Sequence, residues 1–238
     1  MMRTFTYDGT SSQSMGIIVS GENTYGGAVR DIETVSIPGR NGDIVIDHGR
    51  YKNATIVYNC MTKTLGTAYD ARDWLMAHSD AYYKLTDTYN AGEYRMARVS
   101  EAFEPTVDRR RGTAIFEIHF DCDPRRFLTD GSTGVKIPAN SKLSIRNTTR
   151  HTAYPLIQFN NPGSIVIAGR GITVSGSYKI AVDCDEMYAY YDGVTGRVNY
   201  SKNLKLDNGA WPVLEPGYSE ISNNTAGTIT VYPRYWRL

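Results

Sequence analysis

Between Thr113 and Cys122 the chain keeps a strict period of two. Ala114, Phe116, Ile118, Phe120 and Cys122 alternate with Thr113, Ile115, Glu117, His119 and Asp121. Alternate residues of a strand point to opposite faces, so this run predicts a long strand with one face in a core. Ala54, Ile56, Tyr58 and Cys60 predict a second such strand. Ile180, Val182 and Cys184 predict a third, interleaved with Lys179, Ala181, Asp183 and Asp185. Each of the three cysteines falls on an apolar face. Their odd number and wide spacing are not a disulfide framework, and a free Cys packs as a small hydrophobe, so all three read as buried structural thiols.

One helix stands out. Thr67 reads as its cap with Asp70 as the partner three residues on, and Ala71, Trp74, Leu75 and His78 share a face. It should stop near Ser79-Asp80, with Ala81–Leu85 as the next strand. Farther on, short strands recur between turns at Leu156–Phe159, Ser164–Ile167, Gly171–Val174, Tyr178–Cys184, Met187–Tyr191 and Thr228–Tyr232. Many short, evenly spaced strands predict a sandwich or jelly roll. The fold class expected is therefore mostly β, with one helix.

Charge divides the 238 residues. Residues 1–130 hold 15 Lys+Arg and 18 Asp+Glu, net −3; residues 131–238 hold 11 and 7, net +4. Thr129-Asp130-Gly131-Ser132-Thr133-Gly134 lies between them, rich in turn residues and without apolar periodicity, and reads as a linker. Two domains are expected, 1–130 and 131–238, each large enough to bury its own core. The formal net charge of +1 argues against nucleic-acid binding through bulk positive charge. No apolar segment follows Met1-Met2-Arg3, as a signal peptide would require, and no apolar run approaches the ~20 residues that span a bilayer. The expectation is a protein made and kept in a cytosol, unless it leaves by assembly into a particle.

Catalytic signatures are missing: no G-x-S-x-G, H-E-x-x-H, phosphate-binding loop or C-x-x-C occurs. Asp47-His48 are adjacent and face apart on a strand. Asp183, Asp185, Glu186 and Asp192 form the densest acidic group, but Cys184 and Met187-Tyr188 read as strand and not as a calcium loop. Four scattered histidines predict no metal site, and no cofactor is expected. Arg109-Arg110-Arg111 between two strand-like segments reads as a solvated hairpin tip, or as a contact for an acidic partner or passing DNA. Trp211 reads as a core residue or as a platform for a sugar ring.

The most informative stretch is Val35–Asn53. Pro38-Gly39 suits the centre of a type II turn, and Asn41-Gly42 is a hairpin signal. Arg40 and Arg50 are held on or beside tight turns. The run from Ser36-Ile37-Pro38-Gly39-Arg40 through Gly49-Arg50-Tyr51-Lys52-Asn53 resembles the signature of the phage distal tail protein family. Further matches follow in order at Trp74-Leu75, Tyr82–Asp87, Tyr94-Arg95-Met96-Ala97, Phe120–Phe127, Tyr154–Ile157 and Tyr232–Arg237. Asn41 stands where the family commonly has Asp.

The resemblance implies an N-terminal β-sandwich or barrel-like domain with one helix, six copies of which form a ring. It implies a C-terminal galectin-like sandwich, a fold that does not carry sugar binding with it. The implied role is structural and not enzymatic: a hub in the virion tail, assembled in a bacterial cytoplasm. Its partners would be further copies of the chain, the major tail tube protein, a tail-tip protein and receptor-binding components. No membrane and no specific nucleic acid are involved, DNA only passing through the ring. Pro38, Gly39, Arg40, Gly42, Gly49, Arg50 and Tyr51 are the expected interface, with Arg109, Arg110 and Arg111 as a second partner contact. Two other readings stand beside it: a carbohydrate-binding adhesion module resting on the second domain and Trp211, and a tail-associated hydrolase.

Overall fold

In the computed structural model, which describes residues 3–23, 26–176 and 179–238, the strongest alternation becomes the spine of the first of two compact units. That unit runs to Arg126 and takes in Leu238; the second is Phe127–Arg237. The first unit's elements are β1 (Phe5–Tyr7), β2 (Thr10–Ser11), β3 (Ile18–Asn23), β4 (Arg30–Val35), β5 (Ile44–Tyr51), β6 (Ala54–Thr62), α1 (Leu65–Ala77), β7 (Tyr83–Asp87), β8 (Glu93–Val99), β9 (Thr106–Asp108) and β10 (Thr113–Cys122). An antiparallel sheet runs β2-β1-β7-β8-β10-β6-β3, and β9 pairs with β10. In β6 and β10 every second residue is buried. They pair along their whole length, Phe120 opposite Ile56 and Phe116 opposite Cys60, so both apolar faces coincide.

That face and α1 enclose a core with Phe5, Tyr7, Tyr58 and Phe120 at its centre. Tyr7 and Phe120 meet edge to face at 5.0 Å, and Phe5 stacks on Tyr58 at 4.9 Å. The helix buries Ala68, Ala71 and Leu75, with Trp74 packed beside them. Its cap is Thr64 and not Thr67: the Thr64 hydroxyl accepts the Thr67 N–H at 3.1 Å. The start moves because Leu65 also packs against the core, which favours an extra turn over the predicted first one.

The short β11 (Arg126–Leu128) is followed by the second unit's β12 (Val135–Ile137), β13 (Ser141–Asn147), β14 (Leu156–Phe159), β15 (Gly163–Ile167), β16 (Arg170–Val174), β17 (Ile180–Asp183), β18 (Tyr188–Gly193), β19 (Gly196–Asn199), β20 (Leu204–Leu206), β21 (Gly217–Asn223), β22 (Ile229–Tyr232) and β23 (Trp236–Arg237). One sheet is β12-β22-β14-β17-β18-β19 and the other β13-β21-β15-β16-β20. Ile157, Phe159, Val182 and Val231 of the first sheet and Ile165, Ile172 and Ile221 of the second share one buried core. The chain is thus mostly β and antiparallel, with one α-helix among the described residues, as the alternation requires. Tyr178, in the expected strand Tyr178–Cys184, lies outside the described residues.

Residues 129–134 are not a free linker. Asp130–Ser132 form a 3₁₀ turn inside the second unit, and Gly131 is buried. A Cβ on Gly131 would come within 2.4 Å of the Tyr235 backbone nitrogen. The turn residues are there because the backbone approaches closely, a demand that composition alone cannot distinguish from flexibility.

Candidate functional site

The predicted interface residues gather on one element. Among the described residues β4 and β5 pair only with each other, as a two-stranded sheet of their own. The Ile37 carbonyl accepts the Arg40 N–H at 3.1 Å and Gly39 has φ +83°, the geometry of a type II turn across Pro38-Gly39. Asn41-Gly42 is not a two-residue hairpin turn. It belongs to an eight-residue connection, 36–43, in which Gly42 also has positive φ.

Cross-strand partners share a face. Thr34 with Val45 and Ile32 with Asp47 define one side of the hairpin; Val35 with Ile44 and Glu33 with Ile46 define the other. Both sides therefore carry apolar groups, and among the described residues no second layer covers either. Val45 is 60% exposed, and Ile32, Val35, Ile37 and Ile46 are also exposed. An isolated two-stranded ribbon is marginal in water, and exposed apolar clusters mark contact surfaces. Sequence reasoning singled out the glycines and arginines here and missed these side chains. The signal was Ile44-Val45-Ile46, which puts apolar groups on both faces of one strand.

The base of the ribbon is held by charge. Arg30 grips Asp47 through both carboxylate oxygens, at 2.9 and 2.7 Å, and lies over the Tyr51 ring at 4.8 Å. Asp47 also accepts the Gly49 N–H at 2.8 Å. Arg50 Nε donates to Asp31 at 2.8 Å, and Lys52 stands 3.4 Å from the same carboxylate. The hydrogen bond from Arg50 holds the Asp31 carboxyl below its ordinary pKa, and that from Arg30 does the same for Asp47. Just beyond β5, Asn53 donates to Asp121 at 2.9 Å, joined there by Tyr82 and Arg98. Burial tends to raise the Asp121 pKa, but these three donors outweigh it and lower it.

The structure therefore separates the two arginines expected to act together. Arg40 sits in the exposed tip connection; Arg50 is at the other end of β5, already engaged by Asp31. Gly49 and Tyr51 belong to the base, and Pro38, Gly39 and Gly42 to the tip. Arg109, Arg110 and Arg111 form the exposed tip of the β9–β10 hairpin.

The remaining candidates are structural. Asp183 is buried and accepts both guanidinium nitrogens of Arg234 at 2.8 Å. Its Oδ1 also accepts the Asp185 and Glu186 N–H groups. Residues 184–187 are a turn between β17 and β18, so Cys184 and Met187, read as strand residues, lie in the turn, and Met187 takes positive φ to close it. Trp211 packs against the second core, and its carbonyl accepts from Arg170, which disfavours a sugar platform. The three cysteines are buried and free. Burial pushes the Cys60 and Cys122 thiols up to about 12 and raises Cys184 further. No group of metal-ligating side chains is found among the described residues, and none of their helices is long and apolar enough to cross a membrane.

In fold the chain is similar to solved chains of phage baseplates and of an adsorption hub. The chain is similar to SPP1 Dit (gp 19.1), described as a paradigm of the hub adsorption apparatus in phages infecting Gram-positive bacteria. That likeness covers 97% of this chain and 98% of that one at 15% identity, with a TM-score of 0.65. It is also similar to a chain of the phage p2 baseplate in its activated conformation with Sr, over 100% and 99% of the two chains at 12% identity and TM-score 0.57. The activated p2 baseplate with Ca gives 97% and 98% coverage, 13% identity and TM-score 0.56. No family model and no curated protein sequence matches the chain.

Proposed function

We propose that this chain is a structural protein of a phage tail: a distal tail protein, six copies of which close into a ring joining the tail tube to the tip. The observation that carries this reading is the fold likeness to SPP1 Dit along nearly the whole of both chains. The ribbon β4–β5 supports it, because a ring needs a surface on each copy that meets a different surface on the next. The ribbon's two apolar faces and fixed turn suit such a projection. The first unit, read as residues 1–130, forms the ring; the second, 131–238, is a galectin-like sandwich. The neighbours in the particle are the major tail tube protein, a tail-tip protein and receptor-binding components. The reading assigns no catalysis, cofactor or metal.

Negative-stain electron microscopy of the purified chain tests it. Sixfold rings are expected. Single copies at every concentration up to the millimolar range would overturn the ring.

A further inference from the structure

A second surface of the first unit is complementary to itself. β8 leaves the sheet after Val99, and the chain returns as β9 on the same edge of β10. Between them lies a groove of about 580 Å³. Phe103 stacks on Phe116 at its floor, rings 4.1 Å apart and 10° from parallel. Ile115 on its wall is 50% exposed. Glu101, Glu104 and Glu117 line the groove. His119 stands 3.7 Å from Glu101 and 3.4 Å from Glu117, while Glu104 has no ion pair among the described residues.

The hairpin tip beside it has the opposite character. Arg109, Arg110 and Arg111 are exposed, and among the described residues none of them has an ion pair. The tip is nevertheless fixed. The Asp108 carboxylate accepts the N–H groups of Arg110 and Arg111, and its carbonyl accepts that of Gly112 at 2.8 Å. Three guanidinium groups are thus presented on a preformed turn without an ion pair among the described residues.

We propose that the Arg109–Arg111 tip of one copy docks in the Phe103–Ile115 groove of a second copy, and that the second copy returns the contact. Three arginines face three glutamates, and Arg–carboxylate pairs form two parallel hydrogen bonds. The aliphatic stems of the arginines lie along Ile115 while their heads reach the rim. Reciprocity follows from position. Five residue steps separate Gly112 from Glu117, roughly 17 Å along β10. Knob and socket therefore lie side by side on one surface, and two copies laid antiparallel satisfy both at once, the mark of a twofold contact. The contact is separate from the ribbon and does not depend on a ring.

Sedimentation velocity of the full chain tests the pairing. The largest wild-type species should fall to half its mass as salt is raised, since exposed charge pairs are screened. The triple variants R109E/R110E/R111E and E101K/E104K/E117K should each halve it at low salt, weakening the contact about a hundredfold or more. Circular dichroism serves as the folding check. An equimolar mixture of the two variants should restore the paired mass. Failure of the mixture to pair, or pairing by either variant alone, would overturn the proposal. So would an arginine-rich peptide that binds the groove while wild-type copies remain unpaired, since the groove would then serve another protein's basic segment.

Discussion

Arg50 and Asp31 face each other across the base of the β4–β5 ribbon, Nε 2.8 Å from Oδ2, and the carboxylate is far more enclosed than the guanidinium, 13% exposed against 75%. An arginine that looks available for a neighbouring copy is therefore first a brace within its own chain. Its removal should be read as damage to the ribbon before it is read as damage to an interface.

The first prediction concerns pH. Arg50 holds the Asp31 carboxyl below its ordinary value of 3.8, and Arg30 does the same for Asp47. A depressed folded pKa contributes stability that is present above the ordinary value and lost as pH falls through the lower, folded one. NMR titration should give both carboxyls midpoints below 3.8. In Arg50→Ala the Asp31 midpoint should rise while that of Asp47 stays put. Ordinary midpoints in the wild type would refute the brace.

The second concerns the ribbon's apolar faces. Val45→Asp with Ile46→Asp charges both sides at once. Ring particles should disappear from micrographs while the circular dichroism spectrum stays unchanged, because neither residue belongs to a core. Arg40→Glu tests the tip alone. Unchanged assembly in the Val45/Ile46 variant would remove the ribbon from the interface.

The third addresses the pair Asp183–Arg234. Removing one partner of a largely buried ion pair typically costs about 3–5 kcal/mol. Asp183→Ala should lower the unfolding free energy of the second unit by that scale and leave the first unit's transition in place. A shift under about 1 kcal/mol would show that solvent already screens the pair.

The fourth follows from Gly131. An added methyl group meets the Tyr235 backbone, which cannot swing aside as a side-chain end could. Gly131→Ala should destabilise by about 1–3 kcal/mol, the range for overpacking. Limited proteolysis of the wild type should spare residues 129–134. Early cutting there would restore the linker reading.

What the sequence made legible was periodicity. The strands containing residues 54–60, 114–122 and 156–159 emerge where alternation places them, because one face of each must be buried. The type II turn at Pro38-Gly39 was equally legible, since proline and glycine fix its dihedrals locally. The misreadings arose where local chemistry is shared by different tertiary settings. Turn residues at 129–134 suit a linker and a close backbone approach alike. Asp183 read only as a member of the densest acidic group because Arg234, fifty-one residues on, is invisible from its neighbourhood. The ribbon's role lay in Ile44-Val45-Ile46, but only the absence of a covering layer shows that these residues face outward.

The three thiols carry a last implication. Cys60, Cys122 and Cys184 sit at 0% exposure on apolar faces, so no oxidant reaches them while the units stay folded, and they cannot meet one another without unfolding. The fold is accordingly indifferent to redox poise. It can be built where glutathione keeps thiols reduced and persist where oxygen does not, with no disulfide to form on leaving and none to lose on return.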